Sequence, residues 1–158
     1  MTGSIGLSKS KYCKGIQCPK ILWMDKNKPE EAEDILPASV MANGNRVGDL
    51  ARGYFGEYSL VELDNDKENM VRKTYEYMEN GAENIAEPSF AIDGLYCAVD
   101  ILHKNKDAWD IVEVKSSTHV SDIYVEDMLF QYYVLSECGV KVHGIFNMHI
   151  NSDYVFHE

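Results

Sequence analysis

The sequence predicts an α/β domain built on a mixed sheet, and three observations carry that reading. Apolar residues recur at helical spacing over 39–58, 66–80 and 121–138. Between the last two, residues 85–115 read as an antiparallel meander of three strands, with Asp93-Gly94 as a hairpin turn. A strand at 140–150 follows the third helix, and the order strand, helix, strand implies a right-handed parallel crossover. Helices flanking one mixed sheet satisfy all three.

Taken in order, Leu7 to Cys13 opens with serines suited to helix capping and predicts a short helix. Cys18 to Met24 predicts a second, with Pro19 in its first turn. Residues 25–38 are charged, contain Pro29 and Pro37, and read as a loop. In the 39–58 helix the apolar positions are Val40, Val47, Leu50, Ala51, Tyr54 and Phe55. Gly44 and Gly48 lie four apart on one face of it. A glycine inside a helix costs about 1 kcal/mol relative to alanine, so another helix or a substrate backbone is expected to approach that face. In the 66–80 helix Met70, Val71, Tyr75 and Met78 are apolar, and Asn80-Gly81 supplies its end. The meander strands are 85–92, 95–102 and 108–115, the last two joined by the polar turn 104–107. Gly139 ends the 121–138 helix. The whole reads as one domain, 1–158, with an N-terminal helical segment (1–38) and a core (39–158), and it can be one module of a longer protein.

With 158 residues, 45% of them hydrophobic and 11% aromatic, the chain is long and apolar enough for one sizeable core. No apolar run nears the ~18 residues of a membrane span. The N-terminus has no apolar stretch of signal-peptide length. Four scattered cysteines without a CxxC pair read as reduced thiols. Together these point to the cytoplasm. The net charge is −11, unevenly spread: residues 1–28 hold six lysines and one acid, Asp25. An acidic body argues against broad phosphate binding and fits a chain that holds divalent cations, or simply a soluble one.

The chemistry concentrates in Val99-Asp100-Ile101-Leu102, a turn, and Ile111-Val112-Glu113-Val114-Lys115-Ser116-Ser117. Asp100, Glu113 and Lys115 are charged residues embedded in apolar strands, where a charge needs a partner or a metal. Period two puts Glu113 and Lys115 on one face. Pairing of the two strands brings Asp100 near it. Two carboxylates and an ammonium suit Mg²⁺ or Mn²⁺ with phosphate and water completing the shell. The lysine can orient or deprotonate an attacking water or offset phosphate charge. The bland alternative is a self-satisfied buried ion pair.

An Asp, a hairpin and then Glu-Val-Lys resembles the PD-(D/E)XK nuclease superfamily, in particular its RecB-type branch, which includes CRISPR-adaptation exonucleases. Ser8-Lys9-Ser10-Lys11-Tyr12 with Gln17-Cys18-Pro19-Lys20 resembles the S-x-x-x-Y … C-P opening of that branch. The Gly44–Arg52 helix sits where the branch has its first motif, and Ser116-Ser117-Thr118 follows the lysine as is common there. Gln131-Tyr132-Tyr133 resembles its glutamine-containing helix, and His149 to Val155 a strand end in uncharacterised RecB-like proteins. The resemblance covers nearly the whole chain. It implies a restriction-endonuclease-like core and metal-dependent DNA cleavage, as an exonuclease or a repair or antiviral-defence module. Asp100, Glu113 and the carbonyl of Val114 would then be metal ligands, and Lys115 would act on the water. Gln131, one turn after Asp127 on the same helix face, would contact DNA or order the site. Ser117 and Tyr132 would join it in substrate binding.

The chain departs from that pattern in three places. The branch often has a histidine four residues after a motif glycine; here Gly44 is followed by Gly48, with Asp49 adjacent. The Gln-x-x-x-Tyr pattern fails because position 135 is leucine. Many relatives carry an iron–sulfur cluster on one N-terminal and three C-terminal cysteines; this chain has Cys13 and Cys18 but not the C-terminal three, so no cluster is expected in it. The alternative function is therefore a catalytically inactive nucleic-acid-binding or scaffold domain. Among other residues, Glu87 and Asp49 are accessory acids or surface groups. His119 reads as a loop residue. His143 and His149 lack a third ligand for zinc. Cys97 and Cys138 read as core thiols. Lysines 9, 11, 14 and 20 guide a nucleic-acid strand or form a solvated face, and some of the ten tyrosines can stack on bases. Partners are expected to be nucleic acid, DNA ahead of RNA, with room for a further domain or protein and no membrane.

Overall fold

The computed structural model describes residues 6–31 and 38–155. Local signals account for most of the element boundaries in it. A two-residue strand, β1 (Leu7–Ser8), comes first and was not legible in the sequence. Helix α1 (Lys9–Gln17) follows, with the Ser8 hydroxyl accepting the Lys11 N–H at 3.4 Å. Helix α2 (Pro19–Asn27) has Pro19 in its first turn, where a missing N–H costs nothing. The predicted 25–38 loop is partly ordered: α2 runs to Asn27 and a 3₁₀ turn spans Pro29–Glu31. Positions 32–37 lie outside the described residues.

Helix α3 (Ala38–Arg52) stops six residues short of the predicted end, so Tyr54 and Phe55 lie beyond it. A short strand, β2 (Ser59–Leu60), precedes α4 (Lys67–Glu79). Asp66 caps α4 by accepting the N–H groups of Glu68 and Asn69 at 3.0 and 3.2 Å. The chain leaves α4 through Gly81, whose φ of 81° favours glycine.

The meander is antiparallel as expected, but its first two strands are each broken in two. The first gives β3 (Asn84–Ala86) and β4 (Ser89–Ile92); the second gives β5 (Leu95–Ala98) and β6 (Ile101–Asn105). Pro88 has no N–H to add to a ladder, and Glu87 takes a left-handed φ of 57°. Pairing continues through the break: the Glu87 N–H donates to the Asp100 carbonyl at 3.0 Å, and the Val99 N–H to the Pro88 carbonyl at 2.9 Å. The result is one ribbon with an elbow, each half feeding a different sheet. One sheet has the order β1-β5-β4. The other runs β2-β3-β6-β7-β8, where β7 is Ala108–Lys115 and β8 is Val142–His149. At the tip of the ribbon Asp93 and Gly94 have φ of 47° and 79°, as a tight primed hairpin turn requires.

Strands β7 and β8 pair in parallel from Trp109 opposite Val142 to Lys115 opposite His149. Helix α5 (Asp122–Glu137) makes the crossover between them. The sheet therefore has two covered faces. On one, Ile85, Leu102 and Ile111 pack with Phe130, Val134 and Leu135 of α5. On the other, Ile101 and Val112 pack with Ala51 of α3, with Val114 beside them. This is an α/β fold with mixed sheets flanked by helices. Among the described residues no helix is long and apolar enough to cross a membrane.

Candidate functional site

Alternation along β7 turns Val112 and Val114 toward α3, and Glu113 and Lys115 toward α5. Glu113 is 2% exposed, a burial that a carboxylate sustains only with partners. Its partners are all cationic or amide donors. Lys115 Nζ donates to Glu113 Oε1 at 2.6 Å and to Asp127 Oδ2 at 2.8 Å. Gln131 Nε2 donates to Glu113 Oε2 at 2.7 Å and to Asp127 Oδ1 at 3.1 Å. Asp127 and Gln131 are four apart on α5, which places both on the face that meets β7. The fifth member comes from the other end of the chain. Lys9, the first residue of α1, donates to both Glu113 oxygens at 3.3 and 3.2 Å and lies 3.5 Å from Asp127 Oδ1.

Asp100 sits just before β6, whose first rung sets Ile101 opposite Val112. Its Oδ2 accepts the Val114 N–H at 2.6 Å. Its other oxygen takes no hydrogen bond among the described residues. Burial raises the carboxyls of Asp100 and Glu113 above their ordinary values, and repulsion from Asp100 lifts Glu113 further. Asp127 is opposite in sign: burial works against its charge, but Lys9 and Lys115 prevail and hold it below the usual range. Both lysines are raised, because Glu113 and Asp127 outweigh the burial that disfavours an ammonium. Three carboxylates thus share two ammonium groups.

A cleft of about 370 Å³ opens beside Asp100, between α3 and the end of β7. Gly44, Gly48, Asp49 and Arg52 of α3 line one wall; Glu87, Asp100, Ile101 and Val114 line the other. A Cβ added at Gly44 or Gly48 would meet nothing within 4 Å. Among the described residues no other helix comes that close to Gly44 or Gly48. Arg52 bridges Asp49 and Glu87, each at 2.8 Å. The elbow that strains Glu87 is what aims it into the cleft.

No protein family, curated protein or solved structure matches the chain. Its site is therefore read from its own geometry.

Asp100 meets the end of β7 that carries Glu113, Val114 and Lys115; Glu87 shares its wall of the cleft, and Asp49 lies on the opposite wall. Gln131 is fully buried and bonded to two carboxylates, so it orders the site and has no surface to offer a substrate. Ser117 is turned into its own loop, its hydroxyl donating to the His119 carbonyl at 2.9 Å. Tyr132 stands on the exposed face of α5, 44% accessible. Neither belongs to the cluster: the lysine motif ends the strand before Ser117, and a helical step of one residue carries Tyr132 away from Gln131. Three participants were not expected at the site from the sequence: Asp127, Arg52 and Lys9, the last read as a nucleic-acid guide or a solvated face. Asp127 carried a signal, an acid one turn before a glutamine in a largely apolar helix. Lys9 carried none beyond its place in a basic segment.

No group of three His, Cys, Asp or Glu side chains is gathered as a ready-made cage for an ion among the described residues. The oxygens instead come as Asp100 at the cleft and Glu113 away from it, the latter bonded to Lys9 and Lys115.

Proposed function

We propose that the domain is a divalent-metal-dependent phosphodiesterase acting on nucleic acid, DNA first, with a restriction-endonuclease-like core. The observation that carries this reading is Asp100, which lines an open cleft and takes the N–H of Val114, the residue between Glu113 and Lys115. The donor set fits a hard cation. Asp100 keeps one oxygen without a hydrogen bond among the described residues, and the two carboxyls raised by burial gain from a nearby positive charge. Asp100 and Glu113, with the Val114 carbonyl, would hold Mg²⁺ or Mn²⁺, which would supply Lewis-acid polarisation of the phosphate.

The chain's own residues supply the rest. Asp127 and Glu113 fix Lys115 from two sides, and its Nζ lies 5.1 Å from the Tyr124 ring centre, so the ammonium is held in one place. From there it orients the attacking water and offsets charge on the phosphate oxygens. Gln131 fixes Glu113 and Asp127 relative to each other. The side-chain-free face at Gly44 and Gly48 admits a sugar-phosphate backbone to the cleft, with Arg52 as its cation. An exonuclease or a nuclease module of a repair or defence protein would use such a site.

The test is cleavage of end-labelled single- and double-stranded DNA in Mg²⁺ or Mn²⁺. Asp100→Ala and Lys115→Ala are expected to abolish it, and unchanged cleavage in both variants defeats the assignment. A second reading is a non-catalytic nucleic-acid-binding or scaffold domain. It is favoured by the lysines that already neutralise much of the acidic centre. Calorimetry separates the two: a folded protein that binds no Mn²⁺ at millimolar concentration is the non-catalytic one.

A further inference from the structure

Glu113 has no vacancy for an ion as it stands. A carboxylate offers about four lone-pair sites. Oε1 accepts from Lys115 at 2.6 Å and Lys9 at 3.3 Å; Oε2 accepts from Gln131 at 2.7 Å and Lys9 at 3.2 Å. Any cation that coordinates Glu113 must displace one of these donors. Lys9 makes the two longest contacts, and charge-assisted bonds weaken beyond about 2.9 Å. Lys115 and Gln131 are each further held by Asp127 at 3.1 Å or less.

Charge points the same way. Lys9 and Lys115 leave the three carboxylates with one negative charge in excess. A divalent ion in place of Lys9 makes the balance exact, whereas the ion added to both lysines makes the centre positive.

We infer that Lys9 is a tethered cation standing in the divalent-ion position, and that ion loading and Lys9 occupancy exclude each other. This inference rests on the metal-dependent reading above. Lys9 is a positioning residue: it holds Glu113 and Asp127 against their mutual repulsion until the ion arrives. Its tether is short and fixed at both ends. Leu7 and Ser8 pair with Leu95 and Tyr96 of β5. Tyr12, one turn on, stacks on Phe130 at 4.8 Å and donates to Glu126 Oε2 at 3.0 Å. Only the Lys9 side chain is then free to leave, so displacement needs rotamer change and no movement of α1.

Mn²⁺ binding to the full chain, measured by calorimetry, is compared for the parent and Lys9→Met, which keeps the stem and drops the charge. Removing the competitor is expected to tighten Mn²⁺ about tenfold, within the usual range of coupling between two sites. Equal affinities overturn the inference and leave the metal reading standing. Absence of Mn²⁺ binding in both proteins defeats the metal reading and this inference with it. A readout on the parent guards against misfolding of the variant. Acetylation of lysine amines, followed by mass spectrometry, is expected to spare Lys9 without Mg²⁺ and to modify it with Mg²⁺. Exposed Lys11 should label equally in both conditions. Lys9 labelling that ignores Mg²⁺, in a protein that binds the ion, overturns the inference independently.

Discussion

Replacing Asp100 by Asn and by Ala separates the charge of this carboxyl from its hydrogen bond. Asp100 Oδ2 accepts the Val114 N–H at 2.6 Å. The Asn carbonyl oxygen can accept the same bond; Ala cannot. A buried N–H left without an acceptor costs about 1–3 kcal/mol. In a domain of this size 1 kcal/mol moves Tm by about 2–4 °C. Asp100→Ala should therefore melt roughly 2–12 °C below Asp100→Asn. The charge itself works against the fold, because burial raises this carboxyl despite Lys9, Lys115 and the Val114 N–H. A carboxyl raised above its unfolded value of 3.8 gives stability present below that pH and lost as pH rises through the folded value. Asp100→Asn should then match the parent near pH 4 and equal or exceed it at pH 7. Thermal melts in chelator across that range are the assay. An Asn variant that drops at neutral pH as far as the Ala variant refutes the reasoning, since the charge would then be stabilising.

Asp127→Asn should behave with the opposite sign. Its carboxyl is held low, so its stability is present above 3.8 and lost as pH falls through the lower folded value. The variant should lose up to roughly 3–5 kcal/mol at neutral pH, the cost of breaking a buried pair, and converge on the parent in acid. Denaturant midpoints against pH check it. Gly48→Ala should stabilise α3 by about 0.5–1 kcal/mol, because the new methyl meets no atom within 4 Å. The same methyl should slow DNA cleavage several-fold if a strand lies in the cleft; undiminished cleavage removes the strand from that face. Burial pushes the Cys97 thiol up to about 12, so it should resist thiol reagents at pH 8 and react on unfolding. Labelling of Cys97 as fast as half-buried Cys18 in the native protein contradicts its placement.

Periodicity and turn chemistry made the architecture legible. Asp93-Gly94 marked the ribbon tip, Asn80-Gly81 the end of α4, and the crossover from β7 to β8 followed from the order strand, helix, strand. The elbow at Glu87-Pro88 was misread, because its apolar flanks look like one strand and the bend depends on backbone strain at a non-glycine residue. Short strands such as β1 and β2 exist only through pairing with distant segments, so no local pattern announces them. Within the site, Glu113 and Lys115 were visible because a charged pair in an apolar strand demands an explanation. Lys9 was not, since nothing local distinguishes a lysine reaching a buried glutamate from one facing water. Ser117 and Tyr132 rested on the resemblance of their segments, and geometry separates them from Lys115 and Gln131 by a loop and a helical step.

The contact between Lys9 and Glu113 joins positions 104 apart in the chain. During synthesis the lysine leaves the ribosome long before its glutamate has been made. α1 has no finished surface to dock on until α5 has formed, since Tyr12 needs Phe130. Closure of so large a loop is among the slower events in folding. Glu113 and Asp127 must therefore wait, with Lys115 as their counter-charge, until the segment carrying Lys9 returns to seal the cluster.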